Sequence, residues 1–153
     1  GVALIDFSDD YLMKQALQEA MKAMDAGEVP IGAVVVCDNQ VIGRGYNLIE
    51  TLTDSTAHAE MQAFTSAMEY LGGKYLDECI LYVTLEPCTM CAGAAYWSRL
   101  AKLVFGASDT RRGYREMAGN VLYPKTEVVK GVMKIECSKL LKEFFSAKRN
   151  SSA

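Results

Sequence analysis

Between Cys79 and Leu85 the chain reads Cys-Ile-Leu-Tyr-Val-Thr-Leu, a near-continuous apolar run. Strands buried on both faces carry such runs, because they have no solvent side on which to alternate polar residues. A chain built around one must supply layers above and below it, and the flanking sequence offers them. Ser8 with Asp9 and Asp10 predicts a helix start, with a capping oxygen and an acidic first turn. Leu12, Ala16, Ala20 and Met24 then recur at helical spacing, and Gly27 ends the helix. Ile31 to Cys37 and Val41 to Asn47 are β-rich and joined across Asp38-Asn39, a hairpin pattern, while Thr53 to Ala57 reads as loop. A second helix is expected from Ala57 or His58, with Met61, Phe64, Met68 and Leu71 facing inward and Gly72-Gly73 as its stop. Pro87 suits the first turn of a third helix running to about Ser98. Lys102 to Gly106 and Val132 to Ile135 predict two more strands. Leu140, Leu141, Phe144 and Phe145 mark a last helix that frays into Lys148, Arg149 and a polar tail. Strands interleaved with helices predict an α/β fold, a three-layer α/β/α sandwich around a mixed five-stranded sheet.

Nothing divides that sandwich. The chain has 153 residues and no repeat, low-complexity tract or Pro/Gly-rich linker, so residues 1–153 are expected to form one domain. Half of the residues are apolar and 23% are charged, which suits a real core and gives no sign of disorder. No apolar run approaches the ~20 residues of a membrane span, and the start lacks the basic-then-apolar pattern of a signal peptide. Five cysteines is an odd number, and two of them form Cys88-x-x-Cys91. A secreted disulfide framework favours an even set in a shorter chain. A reduced, cytoplasmic protein with a metal or redox site fits better. The net charge of −3 argues against indiscriminate nucleic-acid binding but leaves room for a local basic patch.

Two short segments carry the chemistry: Ala57-His58-Ala59-Glu60 and Pro87-Cys88-Thr89-Met90-Cys91. His58 is the single histidine of the chain. Cys88 and Cys91 are spaced to share one face of a helix. Placed in its first turn, both feel unpaired N–H groups and a dipole that favour thiolate, the metal-binding form. One imidazole and two thiolates suit Zn²⁺, one per chain, and three protein ligands leave the fourth position to water, which zinc can turn to hydroxide at neutral pH. Glu60, two residues past His58, sits close to the metal without having to bind it. It is the expected proton shuttle for hydrolysis of an exocyclic amine.

Plainer readings compete. A Cys-x-x-Cys alone also fits a thioredoxin-type redox pair, although Pro87 stands where such a pair usually has an aromatic residue. A lone histidine is often an ordinary hydrogen-bonding group. Cys37, Cys79 or Cys137 as a fourth ligand would make the zinc site structural; these three are expected instead to be small buried hydrophobes. His-x-Glu before a helix together with Pro-Cys-x-x-Cys after a buried strand is the more specific pattern.

His58-Ala59-Glu60 with Pro87-Cys88-x-Met90-Cys91-Ala92-Gly93-Ala94 resembles the cytidine-deaminase-like superfamily, and more narrowly the bacterial tRNA-specific adenosine deaminases. The likeness extends through Glu28 to Val34, Val41 to Asn47, Thr56 to Glu60, Leu81 to Cys88, Phe105-Gly106-Ala107 and Phe144-Phe145. It implies a zinc-bound hydroxide that attacks the base while Glu60 shuttles protons. It also implies a homodimer that converts adenosine to inosine at the wobble position of a tRNA anticodon arm. By motif position, Asn47 would hydrogen-bond the flipped base, Val29, Ala57 and Glu86 would form the pocket, and Asp109 would lie along the RNA sugar-phosphate chain. As plainer alternatives, Asn47 is a strand-end turn residue and Asp109 a helix cap. The sequence departs from the family at Ser55, where many relatives have proline, and at Tyr114-Arg115-Glu116-Met117, where small residues are usual.

Two other functions fit the same residues: a deaminase of a free base or nucleoside such as guanine or cytosine, and a zinc-stabilised binding module without activity. The acidic balance favours the free base. An RNA substrate requires a local basic surface, for which Arg111, Arg112, Arg115, Lys148 and Arg149 are the available residues.

Overall fold

The computed structural model describes residues 7–151; the opening Gly1 and the end of the polar tail lie outside them. The order of elements is α1 (Asp9–Asp25), β1 (Gly32–Cys37), β2 (Gln40–Tyr46), α2 (Ile49–Leu52), α3 (Ala59–Leu71), β3 (Cys79–Leu85), α4 (Thr89–Trp97), β4 (Lys102–Ala107), α5 (Tyr114–Met117), β5 (Glu127–Lys130) and α6 (Lys134–Ser151). Ser8 caps α1 as expected, its hydroxyl accepting the Tyr11 N–H at 3.1 Å. Asp38 and Asn39 both adopt positive φ, 49° and 61°, the pair that a two-residue hairpin turn requires.

The five strands lie in the order β2-β1-β3-β4-β5, with β1 antiparallel to both its neighbours and β3, β4 and β5 parallel. Alternation along the central strands divides the core in two. Ala33, Val35, Leu81, Val83, Leu103 and Phe105 face the layer of α3 and α4. Val34, Val36, Tyr82 and Val104 face α1 and the start of α6. Both sides of β3 are thus covered, which is why its sequence shows no polar alternation. The result is the three-layer mixed sandwich that the sequence predicts.

Three local expectations differ from the structure. The inner face of α3 is Ala59, Ala63 and Ala67 with Glu60 and Phe64, whereas Met61 and Met68 are half-buried and Leu71 is exposed. The cause lies on β2: a Cβ at Gly43 or Gly45 would collide with the α3 backbone at Ala63 and Ala59, so helix and strand approach closely enough for small residues alone. α4 begins two residues beyond Pro87, with Cys88 as its N-cap. The fifth strand is Glu127–Lys130, not 132–135. As a sheet edge it is largely exposed, so its apolar pair Val128-Val129 is short and framed by charge; Gly131 and Met133, both at positive φ, form the turn into α6. The short helices α2 and α5 carry no sequence signal strong enough to reveal them. Among the described residues no helix is long and apolar enough to cross a membrane.

Candidate metal centre and active site

The N-termini of α3 and α4 converge. His58 is the N-cap of α3, with extended backbone at φ −76° and ψ 154°, and Cys88 is the N-cap of α4, at φ −72° and ψ 175°. Neither side chain bonds to its own helix. They turn toward each other instead, and Cys91, in the first turn of α4, completes the group. His58 Nδ1 stands 3.6 Å from Cys88 Sγ and 3.6 Å from Cys91 Sγ. A tetrahedral zinc with bonds of about 2.1 Å to nitrogen and about 2.3 Å to sulfur holds such ligands about 3.6 Å apart. The geometry and the donor chemistry therefore fit that ion. Among the described residues, this is the group of His, Cys, Asp and Glu whose ligand atoms all lie within 4.8 Å of one another. Cys137 and Cys79 are buried and Cys37 packs against the core, as small apolar residues do, so no fourth sulfur joins the group.

The electrostatics point the same way. A hydrogen bond from Cys91, and then the His58 ring, hold the Cys88 thiol down to about 4. Cys91 is pushed upward, first by Cys88 and then by burial. Left to protons alone, the two sulfurs share a single negative charge; a divalent cation is what lets both ionise. Cys88 raises the His58 pKa. Glu60 lies in the first turn of α3, only 4% exposed, and burial pushes its carboxyl up to about 7.

The other predicted residues fall into two groups. Asn47 is buried and its Oδ1 accepts the Ala59 N–H at 2.9 Å, beside the metal ligands. Together with Val29 it lines a small cavity of about 70 Å³ that Glu28, Phe144 and Lys148 also border. Ala57 is buried, with its carbonyl accepting the Leu48 N–H. Glu86 and Asp109 lie instead along a separate cleft of about 250 Å³ with Thr110, Arg115 and Glu116. Asp109 Oδ1 accepts the N–H groups of Arg111 and Arg112 at 3.1 and 2.9 Å, the capping role that a turn aspartate performs.

Two residues act in ways the sequence does not reveal. Glu28 is buried, and it accepts hydrogen bonds from Glu50 N–H, Thr51 N–H and the Thr51 hydroxyl at 3.0, 2.7 and 2.6 Å. It thereby anchors the segment that carries Asn47 and Ala57. The available signal was an acidic residue between the helix-ending Gly27 and Pro30, immediately before a buried strand. Arg115, which the sequence offers to phosphate, is ion-paired with the buried Glu86 at 2.8 Å. Arg111, by contrast, does share a groove of about 550 Å³ with Lys142, Lys148, Arg149, Leu141 and Phe145.

A mixed sheet with paired helix N-termini presenting one imidazole and two thiols places the molecule in the cytidine-deaminase-like class. The chain belongs to the MafB19-like deaminase family, whose profile matches residues 7–149. The tRNA-specific adenosine deaminase of Bacillus subtilis is 47% identical over 142 residues, 90% of this chain and 88% of the relative. A structure from a study of A-to-I editing by tRNA:A34 deaminases at the wobble position is 40% identical with a TM-score of 0.80, covering 86% of this chain and 99% of the other. The guanine deaminase of Bacillus subtilis is 40% identical with a TM-score of 0.65, covering 68% and 67%.

Proposed function

We propose that this chain hydrolyses adenosine to inosine at the wobble position of a tRNA anticodon arm, using one zinc ion per chain held by His58, Cys88 and Cys91. The observation that carries the chemistry is the placement of His58 Nδ1 at 3.6 Å from both sulfurs, with the buried carboxyl of Glu60 in the same helix turn. Zinc held there would supply a hydroxide nucleophile near neutral pH by acidifying a water.

The protein's own residues do the rest. Glu60 takes one proton from the attacking water and passes it to the ring nitrogen beside the reacting carbon, then takes the second from the newly added hydroxyl and passes it to the departing amine; overall, water is consumed and ammonia released. Asn47 anchors α3 through its Oδ1 and keeps its amide nitrogen for the base. Val29 and Ala57 are apolar walls of the pocket, while Glu86, in the neighbouring cleft, holds the segment that carries Asp109 toward the ribose chain. The groove of Arg111, Lys142, Lys148 and Arg149 supports an anionic partner despite the net charge of −3. The exposed rings of Tyr70, Tyr75, Tyr96 and Trp97 support a homodimer formed over α3 and α4, since large apolar surface of this kind marks contact sites. A tRNA substrate is consistent with a cytoplasmic enzyme.

The second reading is a guanine deaminase, favoured by the 40% identity to the Bacillus subtilis enzyme and by the acidic balance. Ammonia release and base conversion are to be measured by mass spectrometry on an anticodon-arm hairpin, adenosine, cytidine and guanine in parallel. Inosine from the hairpin is the expected result. Turnover of guanine with none of the hairpin selects the second reading.

A further inference from the structure

One arrangement beside the metal centre is unexplained by the proton chemistry. The carboxylate of Glu86 is buried at the end of β3, two residues before Cys88, and three donors from one loop converge on it. They are Asp109 N–H at 3.1 Å, Arg115 N–H at 3.1 Å and Arg115 Nη2 at 2.8 Å. The Arg115 guanidinium also bonds Ser108 Oγ at 3.0 Å and lies 5.1 Å from the centre of the Phe105 ring. The backbone closes the same seam, with Tyr114 N–H donating to the Pro87 carbonyl at 2.9 Å and the Tyr114 ring buried beneath. Gly113 is the residue this packing requires, because a Cβ there would run into the Glu86 carboxylate. Of the three donors only the Arg115 guanidinium carries charge; Glu86 is almost wholly buried, while the Arg115 side chain is 39% exposed, so solvent reaches the pair from one side.

We propose that Arg115 is a positioning residue: it fixes the loop of residues 108–117 against the end of β3 and thereby sets how tightly the site binds structured RNA. The inference rests on the RNA reading above. The fixed loop is the one whose Asp109 caps the turn of Arg111 and Arg112, so its posture decides where both cations stand relative to the metal centre. Among the described residues, no hydrogen bond or ion pair joins Arg115 to the metal ligands or to Glu60. Its effect therefore falls on substrate binding, through the ordering of a surface that is otherwise ordered only on binding.

The test uses the full chain loaded with zinc, as Arg115→Ala and Arg115→Lys. Amide hydrogen exchange at Asp109 needs no substrate and reads the latch directly; it is expected to accelerate about tenfold or more in Arg115→Ala. On the anticodon-arm hairpin, KM is expected to rise about tenfold while kcat stays within about threefold. Arg115→Lys should recover part of both effects, since it keeps the charge and loses the planar fork. Unchanged exchange at Asp109, or unchanged KM, overturns the proposal. So does a fall in kcat accompanied by zinc loss, which would make Arg115 a support of the α4 N-terminus and nothing more. A wild-type enzyme that ignores the hairpin refutes the RNA reading, and the exchange measurement then still decides separately whether Arg115 holds the loop.

Discussion

The Ala59 N–H donates to Asn47 Oδ1 at 2.9 Å, so the residue that ends the β-hairpin also ties down the first turn of the helix bearing His58 and Glu60. The bond assigns the oxygen of the Asn47 amide to the helix; on the function proposed above, its nitrogen serves the base. Asn47→Asp keeps the acceptor and should keep fold and zinc, while turnover drops for want of the donor. Asn47→Ala loses both, and removing a helix-capping acceptor costs about 1 kcal/mol in stability. Thermal unfolding with kinetics on the two variants checks this; wild-type turnover in Asn47→Asp would deny Asn47 any donor role toward the base.

Glu60→Ala should retain zinc and fold yet lose activity by ~10²–10⁴-fold, the usual cost of removing a general acid–base. The substitution takes a carboxyl out of a buried position, so the fold is not expected to suffer. Near-normal turnover with full zinc would require another base.

Zinc content measured by elemental analysis should be about one ion per chain in the wild type. In Cys88→Ala it should fall toward zero, with lower thermal stability, because α3 and α4 lose the ion that joins their N-termini. Cys137, buried between α6 and β4 and pushed up to about 12 by burial, takes no part. Cys137→Ala should leave zinc unchanged.

Arg111 borders the basic groove, whereas Arg115 is engaged with Glu86. Neutralising Arg111 and Arg112 should weaken hairpin binding and flatten its salt dependence by about one slope unit per lost phosphate contact. Titrations at several salt concentrations read the slope directly. Salt-insensitive binding would take these arginines out of the interface.

Hydrogen bonds from Thr51 and Glu50 outweigh the cost of burial and hold the Glu28 pKa below its ordinary 4.5. A depressed carboxyl stabilises the fold fully above the unfolded value, and that contribution is lost as pH falls through the folded one. Wild-type melting temperature should therefore drop below about pH 4.5, and Glu28→Gln should show a shallower acid limb. Comparison at matched zinc loading isolates the effect, and identical acid limbs would contradict it.

The layer architecture and the candidate metal group are legible in the chain before it folds. A two-faced apolar strand demands cover on both sides, and His58, Glu60, Cys88 and Cys91 are bound to their neighbours at local spacings, so short motifs report them. Even the hairpin is local, since Asp38 and Asn39 tolerate the positive φ it needs. Other features depend on residues far apart in the chain, which meet once the sheet is assembled. Which side of α3 turns inward is set by Gly43 and Gly45 across the sheet, not by the methionines of the helix itself. Arg115 is a solvated cation by sequence, and becomes half of an ion pair because β3 brings Glu86 to it from 29 positions away. Glu28 likewise meets Thr51 from 23 positions away. Burial and partnership of a charge are properties of the assembled sheet, and no periodicity along the chain encodes them.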